Sequence, residues 1–217
     1  LDRSLMLTTA IPGASLNDAP PSNPAPILTA AGADLARINR VLVDGFDWIL
    51  RDDPRPTRLS AALPTWHEFA ASLTTHPLDP WFDPPSLARI TELTRIPPAN
   101  PARALLAHGD FDPSHIFSQN GNYTGIIDLG EIRGAEATFD LGHLALHTPD
   151  ALPAILQGYA TITRLPDDLP LQITASALRI GWFRLTQSSA GANPPYATHL
   201  VHAMTRLALD PGVPSSG

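Results

Sequence analysis

Two short apolar runs stand on either side of a polar loop near the middle of the chain. Residues 104–107 and 124–127 are strand-like runs, and Asn120-Gly121 lies between the HIF sequence (115–117) and the second run. Both turn residues tolerate positive φ, which favours a tight hairpin. The pattern therefore predicts a small β-hairpin that returns Asp128, at the end of the second run, towards the loop that follows the first.

Most of the remaining regular structure is predicted to be helical. Apolar residues recur at helical spacing from Ile27 to Leu50, which predicts one long helix. Similar patterns predict helices over residues 86–96, 151–162, 171–188 and 196–209. The predicted fold class is therefore α+β and mainly helical, with the hairpin as its main β-structure.

The first residues form a separate apolar segment. Residues 4–11 resemble a β-strand that ends at Pro12-Gly13, a common turn pair. Taken alone, this segment is typical of an ordinary edge strand. Residues 17–26 are rich in Pro, Ala, Ser and Asn, which indicates a loop.

Ionisable residues concentrate in the central loop and at the end of the predicted hairpin. They are His108, Asp110, Asp112, His115 and Asp128. Strands hold such side chains rigidly while leaving them open to a cleft. Two carboxylates and an imidazole can bind a hard divalent cation and accept a proton from an attacking hydroxyl.

Composition narrows the range of functions. The 217 residues include no cysteine, so disulfides and thiolate metal sites are excluded, and the net charge of −7 argues against a nucleic-acid partner. No apolar run is long enough for a membrane span, and no signal-peptide pattern opens the chain. These features favour a cytoplasmic protein without a membrane partner.

Two motifs together resemble a known family. HGDFDPSHIF (108–117), followed by GIIDLGE (125–131), resembles the catalytic loop and metal-binding segment of the aminoglycoside phosphotransferases, relatives of the protein kinases. The resemblance implies that Asp110 is the catalytic base and that His115 and Asp128 bind Mg²⁺. His115 replaces the usual Asn, as in the branches that modify the two-double-prime hydroxyl of aminoglycosides and in macrolide phosphotransferases.

The same resemblance assigns supporting roles. Glu131 is expected to face the substrate, and Asp112 is a weaker substrate candidate. Asp140, in the sequence TFDLGHL, is expected to brace the catalytic loop from the start of a helix. His108 is expected to be a structural histidine packed beneath that loop.

The resemblance also suggests how the chain is organised. Residues 1–16 resemble the last strand of a kinase-like amino-terminal lobe and its hinge, where adenine would bond to backbone groups of Thr9, Ala10 and Ile11. Residues 17–217 would form the helical carboxy-terminal catalytic lobe. Kinase-like enzymes hold nucleotide phosphates with a strand lysine, but all 14 basic residues here are Arg. The nucleotide-binding lobe is therefore expected to be absent from this sequence.

The implied function is Mg²⁺-dependent transfer of the γ-phosphate of ATP or GTP to a hydroxyl of a small molecule. An aminoglycoside-type antibiotic is the favoured acceptor, with antibiotic resistance as the expected role, because Asp112, Glu131 and Glu136 could bind amines. Two alternatives stay open: a stand-alone lobe that binds a ligand without catalysis, and a metal-dependent hydrolase. Because His115 must be neutral to bind a metal, acid is expected to weaken metal binding.

A second histidine pair has a simpler interpretation. His143 and His147 lie four residues apart on a predicted helix, a spacing that zinc sites use. No glutamate follows the first histidine, and apolar residues separate the two. A packed helix face is therefore favoured over a metal site.

Overall fold

The structure is a computed structural model that describes residues 10–50, 58–188 and 193–211. Within these ranges the helices are α1 (Ala25–Ile38), α2 (Trp66–Leu73), α3 (Pro84–Thr94), α4 (Phe139–His147), α5 (Leu152–Ala160), α6 (Leu169–Ser188) and α7 (Pro194–Leu209). The strands are β1 (Ala14–Ser15), β2 (Leu42–Asp44), β3 (Phe46–Ile49), β4 (Leu59–Leu63), β5 (Ala104–Ala107), β6 (Ile116–Gln119), β7 (Asn122–Ile126) and β8 (Arg133–Ala135). Helix predominates in this mixed fold, as the sequence predicts.

The predicted hairpin is present in a three-stranded antiparallel sheet. β6 and β7 form the hairpin, and β1 pairs with the free side of β6. Asn120 and Gly121 connect the strands with φ angles of 52° and 76°, so the turn prediction is confirmed. The hairpin places the polar loop before β6 next to the segment after β7.

A second sheet, not predicted from the sequence, closes on itself in the order β2-β4-β3-β8-β5. Its strand β5 leads directly into His108, and β8 follows shortly after Asp128. All its pairings are antiparallel except that of β2 with β4. This sheet therefore fixes both ends of the polar segment between residues 108 and 132.

The predicted long helix over residues 27–50 is wrong in its second half. Helix α1 ends at Ile38, and the chain turns into β2 and β3. The side chain of Asn39 donates hydrogen bonds to the carbonyl oxygen of Leu106 and to Asp140, both at 2.9 Å. Gly45 then adopts a φ of 101°, which is incompatible with a continuing helix.

The helices form one core around α4. Every residue of α4 from Phe139 to Leu146 is buried. This helix packs against α6, and α1 packs against α5. The close approach of α1 to α5 depends on Gly32 and Gly158, because a Cβ at either position would overlap the backbone of the other helix. None of the helices in the described ranges is long and apolar enough to cross a lipid bilayer.

Candidate active site

A fully buried carboxylate holds the polar loop after β5. Asp140, in the first turn of α4, accepts hydrogen bonds from the backbone N–H groups of His108 and Gly109, both at 2.9 Å. Asn39 donates a third bond to the same carboxylate, and the hydroxyl of Tyr159 donates to the Asn39 side chain at 3.2 Å. The loop backbone is thus tied to α1, α4 and α5.

The side chains of His108 and Asp110 are hydrogen-bonded to each other. The Nδ1 atom of buried His108 lies 3.0 Å from a carboxylate oxygen of Asp110, and its Nε2 lies 2.8 Å from the carbonyl oxygen of Ile127. Burial alone would lower the pKa of His108, but the hydrogen bond to Asp110 and the charge of Asp140 raise it above its ordinary value. Because both ring nitrogens face acceptors, the geometry favours an imidazolium beside a carboxylate.

Asp110 stays ionised in this setting. Partial burial would raise the pKa of its carboxyl, but the hydrogen bond from His108 lowers it below the ordinary value. The side chain is partly exposed. An ionised, partly exposed carboxylate held by a rigid partner is suited to orient a hydroxyl and accept its proton.

His115 presents one free ring nitrogen to Asp128. Its Nδ1 lies 3.1 Å from the carbonyl oxygen of Asp110, and since a carbonyl only accepts, Nδ1 carries the proton. In the neutral ring, the form that binds a metal, the lone pair is therefore on Nε2, which lies 3.8 Å from a carboxylate oxygen of Asp128. A hydrogen bond that fixes the tautomer in this way is common for metal-binding histidines.

Asp128 itself has an unusual backbone. It adopts a left-handed conformation with φ 62° and ψ 64°, which is uncommon for a residue other than glycine. Its side chain is largely exposed, and one oxygen accepts a weak hydrogen bond from the N–H of Gly130. Strained, exposed positions of this kind cluster at functional sites.

The ligand atoms of His108, Asp110 and His115 lie within 4.8 Å of one another. His108 is nevertheless unsuited to bind a cation, because both its nitrogens already face protein acceptors. The donor set that fits an ion is the Nε2 of His115 with the carboxylate of Asp128. With metal–ligand bonds of about 2.1 Å, two donors 3.8 Å apart can reach one ion.

Comparison of the sequence with models of known protein families gives a match that includes the whole candidate site. The model of the phosphotransferase enzyme family, APH, matches residues 2–170, which contain every site residue described above. The chain belongs to this phosphotransferase family. The family resemblance predicted from the two motifs is therefore confirmed.

Solved structures with the same fold include other phosphotransferases. A thermostable variant of aminoglycoside phosphotransferase APH(4)-Ia, in a ternary complex with ADP and hygromycin B, is 18% identical, with a TM-score of 0.67 over 96% of this chain and 71% of that one. Macrolide 2'-phosphotransferase MphH from Brachybacterium faecium is 15% identical, with a TM-score of 0.56 over 93% and 68%. A search of curated protein sequences found no match.

Two arginines lie next to Glu131, the predicted substrate residue. The guanidinium of buried Arg133 donates to a carboxylate oxygen of Glu131 at 2.9 Å, and Arg184 of α6 lies 4.0 Å from the same oxygen. Sequence reasoning missed both arginines. The only local signal was the position of Arg133 two residues after Glu131.

The other carboxylates considered for substrate binding differ in accessibility. Asp112 is partly exposed, and one of its oxygens accepts a hydrogen bond from the N–H of Ser114 at 2.6 Å. Glu136 is buried and forms an ion pair with equally buried Arg179 at 2.8 Å. The expectation that Glu136 could bind an amine of the substrate is therefore wrong, because it lies in the core.

The predicted adenine-binding segment lies only partly within the described residues. Thr9 is outside them, whereas Ala10 is exposed and Ile11 half-buried. The next residue, Pro12, accepts a hydrogen bond at its carbonyl oxygen from the Thr124 hydroxyl of β7. The segment therefore runs beside the strand that leads to Asp128.

A glycine pair tests how tightly the catalytic loop is packed. Gly109 has a φ of 102°, and a Cβ there would overlap the carbonyl oxygen of Glu131, whereas Gly121 has a φ of 76° and open space around it. The positive φ alone should cost Gly121→Ala about 1–2 kcal/mol of unfolding free energy. Gly109→Ala should cost clearly more, as measured by urea unfolding. Equal losses in the two variants would contradict this packing.

The stacked histidines of α4 have a second testable property. His143 donates through Nδ1 to the carbonyl oxygen of Phe111, and its ring centroid lies 4.3 Å from that of His147. Burial, with a smaller contribution from the charge of His147, lowers the pKa of His143 to about 3. In the unfolded chain a histidine takes up its proton at about pH 6.5.

Between pH 6.5 and 3 the unfolded state therefore binds the extra proton, so the unfolding free energy should fall as the pH falls. His143→Asn keeps a hydrogen-bond donor but cannot titrate. It should reduce this slope by up to about 1.4 kcal/mol per pH unit. Urea unfolding at several pH values measures the slope, with His202→Asn on the exposed side of α7 as control. An unchanged slope in His143→Asn would contradict the assignment.

Proposed function

We propose that this chain carries the phosphoryl-transfer site of a small-molecule kinase, which moves the γ-phosphate of a nucleotide to a hydroxyl. One observation supports this best: local hydrogen bonds leave the Nε2 of His115 and the carboxylate of Asp128 facing each other beside an ionised Asp110. A catalytic base beside a separate pair of metal ligands is the division of roles that kinase-like phosphoryl transfer uses.

In this proposal Asp110 orients the acceptor hydroxyl and takes its proton late in the transfer. His108 holds the Asp110 carboxylate in place through its Nδ1. His115 and Asp128 would hold Mg²⁺, which supplies neutralisation of the charge on the phosphates. Because Mn²⁺ accepts the oxygen-rich, octahedral ligand sets that Mg²⁺ accepts, it is a useful second metal for testing.

The nucleotide is proposed to lie between the hinge segment and the metal pair. Ile11 packs close to Gly125 of β7, and Asp128 follows the end of that strand. Backbone groups of Thr9, Ala10 and Ile11 are still the proposed adenine contacts, with residues 17–217 as the catalytic lobe. ADP in the structurally similar APH(4)-Ia complex supports a nucleotide substrate, which we take to be ATP or GTP.

The acceptor is proposed to be a small molecule with a free hydroxyl. The aminoglycoside-type acceptor predicted from the sequence is supported by the fold shared with a phosphotransferase bound to hygromycin B. Two arginines beside Glu131 and the burial of Glu136 leave fewer free carboxylates for a polycation than the sequence suggests. A panel of aminoglycosides, macrolides and neutral sugars therefore covers the relevant chemistry.

The decisive test follows radiolabelled γ-phosphate from ATP or GTP to each acceptor, using the full chain with Mg²⁺ or Mn²⁺. We expect metal-dependent labelling of at least one acceptor. His115→Ala and Asp128→Asn should raise the metal concentration needed for half-maximal activity, whereas His202→Ala, an exposed histidine, should not. Acceptor binding without transfer would support a binding module, and metal-dependent hydrolysis without nucleotide would support a hydrolase.

A further inference from the structure

A cavity lies apart from the candidate active site. It has a volume of about 240 Å³ and lies between the segment before β5, the start of α4, the end of α5 and the start of α6. None of the proposed catalytic or metal-binding residues lines it. Its wall is mostly apolar, with Leu105, Ala137, Leu141, Leu165, Pro166 and Leu169.

The inner wall carries a polar atom without a partner. Gln172 of α6 is only 5% exposed, and its Nε2 donates to the carboxylate of Asp168 at 3.1 Å. Since a carboxylate can only accept, this bond fixes the amide orientation. The Oε1 of Gln172 is thereby left buried without a hydrogen-bond partner among the described residues. Buried polar atoms are rarely left in this state unless a bound group or water completes them.

Two cations belong to the same cavity. Arg103 and Arg164 contribute to its lining and are exposed to solvent. Neither guanidinium forms an ion pair with a carboxylate in the part of the chain that the structure describes. The exposed end of the cavity is therefore suited to an anion, because guanidinium groups bind carboxylates with directed, charge-assisted hydrogen bonds.

We propose that this cavity binds a small amphipathic carboxylate. Its apolar body fills the cavity, a hydroxyl at one end donates to the Oε1 of Gln172, and its carboxylate bonds to Arg103 and Arg164. The volume equals that of about eight water molecules in the liquid, which suits a molecule with a single ring. Binding at this cavity does not require the proposed phosphoryl transfer.

The cavity wall is connected to the catalytic loop. Tyr159 lines the cavity, and its hydroxyl donates to Asn39, which in turn donates to Asp140. Asp140 holds the backbone of His108 and Gly109. The cavity wall and the catalytic loop therefore share one chain of hydrogen bonds.

The test is isothermal titration of the full chain with 4-hydroxyphenylacetate, without nucleotide or metal. We expect saturable binding at one site, with a dissociation constant of about 1 mM or tighter. Phenylacetate lacks the hydroxyl and 4-ethylphenol lacks the carboxylate, so each should bind about tenfold more weakly. The absence of saturable binding at millimolar concentrations, or equal affinity for all three probes, would overturn the proposal.

Substitutions locate the binding. Arg103→Gln and Arg164→Gln should each weaken binding of 4-hydroxyphenylacetate about tenfold without affecting folding, because both side chains are exposed. Ala137→Trp places a large ring in the cavity from an exposed position, and it should abolish binding. Ala71→Trp, at an exposed position outside the cavity, is the matched control. Melting temperatures verify folding, and full affinity in folded Ala137→Trp would overturn the assignment of the site.

Discussion

Asp110→Asn is expected to lower kcat for phosphoryl transfer by about 10²–10⁴-fold, the usual contribution of a general base. Asparagine has nearly the same shape but cannot accept the proton of the acceptor hydroxyl. It also removes the negative charge that faces the Nδ1 of His108 at 3.0 Å. Steady-state kinetics with the labelled nucleotide and a productive acceptor measure the loss.

The matched control is Asp112→Asn, which removes a carboxylate two residues away. Asp112 caps the short turn at Pro113–His115 by accepting from the N–H of Ser114, and it is otherwise only a candidate for substrate binding. Its substitution should therefore act on the KM for the acceptor and change kcat far less. Nucleotide affinity should be retained in Asp110→Asn, because Asp110 is not assigned to the nucleotide. Turnover close to that of the parent chain would remove Asp110 from the role of base.

Asp140→Ala is expected to lower the unfolding free energy by at least about 3 kcal/mol, because three buried donors lose their acceptor at about 1–3 kcal/mol each. These donors are the backbone N–H groups of His108 and Gly109 and the side-chain amide of Asn39. Urea unfolding with circular dichroism measures the change. Folded Asp140→Ala protein should also lose turnover, since the loop backbone is no longer held.

Two further variants test whether the hydrogen bonds to Asp140 cause this loss of stability. Tyr159→Phe removes only the outermost hydrogen bond of the brace, from the Tyr159 hydroxyl to Asn39, and should therefore cost less than Asp140→Ala. Asp168→Ala removes an exposed carboxylate that bonds a glutamine side chain, and its loss should be smaller again. Similar losses in Asp140→Ala and Asp168→Ala would mean that the buried carboxylate does not stabilise the loop.

Local chemistry explains which parts of the fold could be predicted. The hairpin follows from Asn120-Gly121 and the short runs on either side, because all of that information lies within a few residues. The end of α1 could not be predicted in this way. Asn39 stops the helix by bonding to Leu106 and Asp140, which lie 67 and 101 residues further along the chain. The spacing of apolar residues depends on local sequence alone and gives no information on such distant partners. The pattern through Leu50 therefore indicated a longer helix.

In the candidate site, too, the features set by local sequence could be predicted and those set by distant residues could not. The positions of Asp110, His115 and Asp128 follow from motif spacing, since a strand, a short turn and a hairpin connect them. The environment of Glu131 does not follow, because Arg184 reaches it from a helix that begins 38 residues later. All 14 residues of the Lys and Arg type are arginine, so residue type alone does not indicate which of them lies near the site.

The brace at Asp140 has a consequence for the order of folding. Its bonds to His108 and Gly109 span 32 and 31 residues, and its bond to Asn39 spans 101. Contacts of such long sequence separation are slow to form, because closing a long loop of chain costs conformational entropy. A nascent chain that ends before α4 contains the HGD sequence without the acceptor that shapes it.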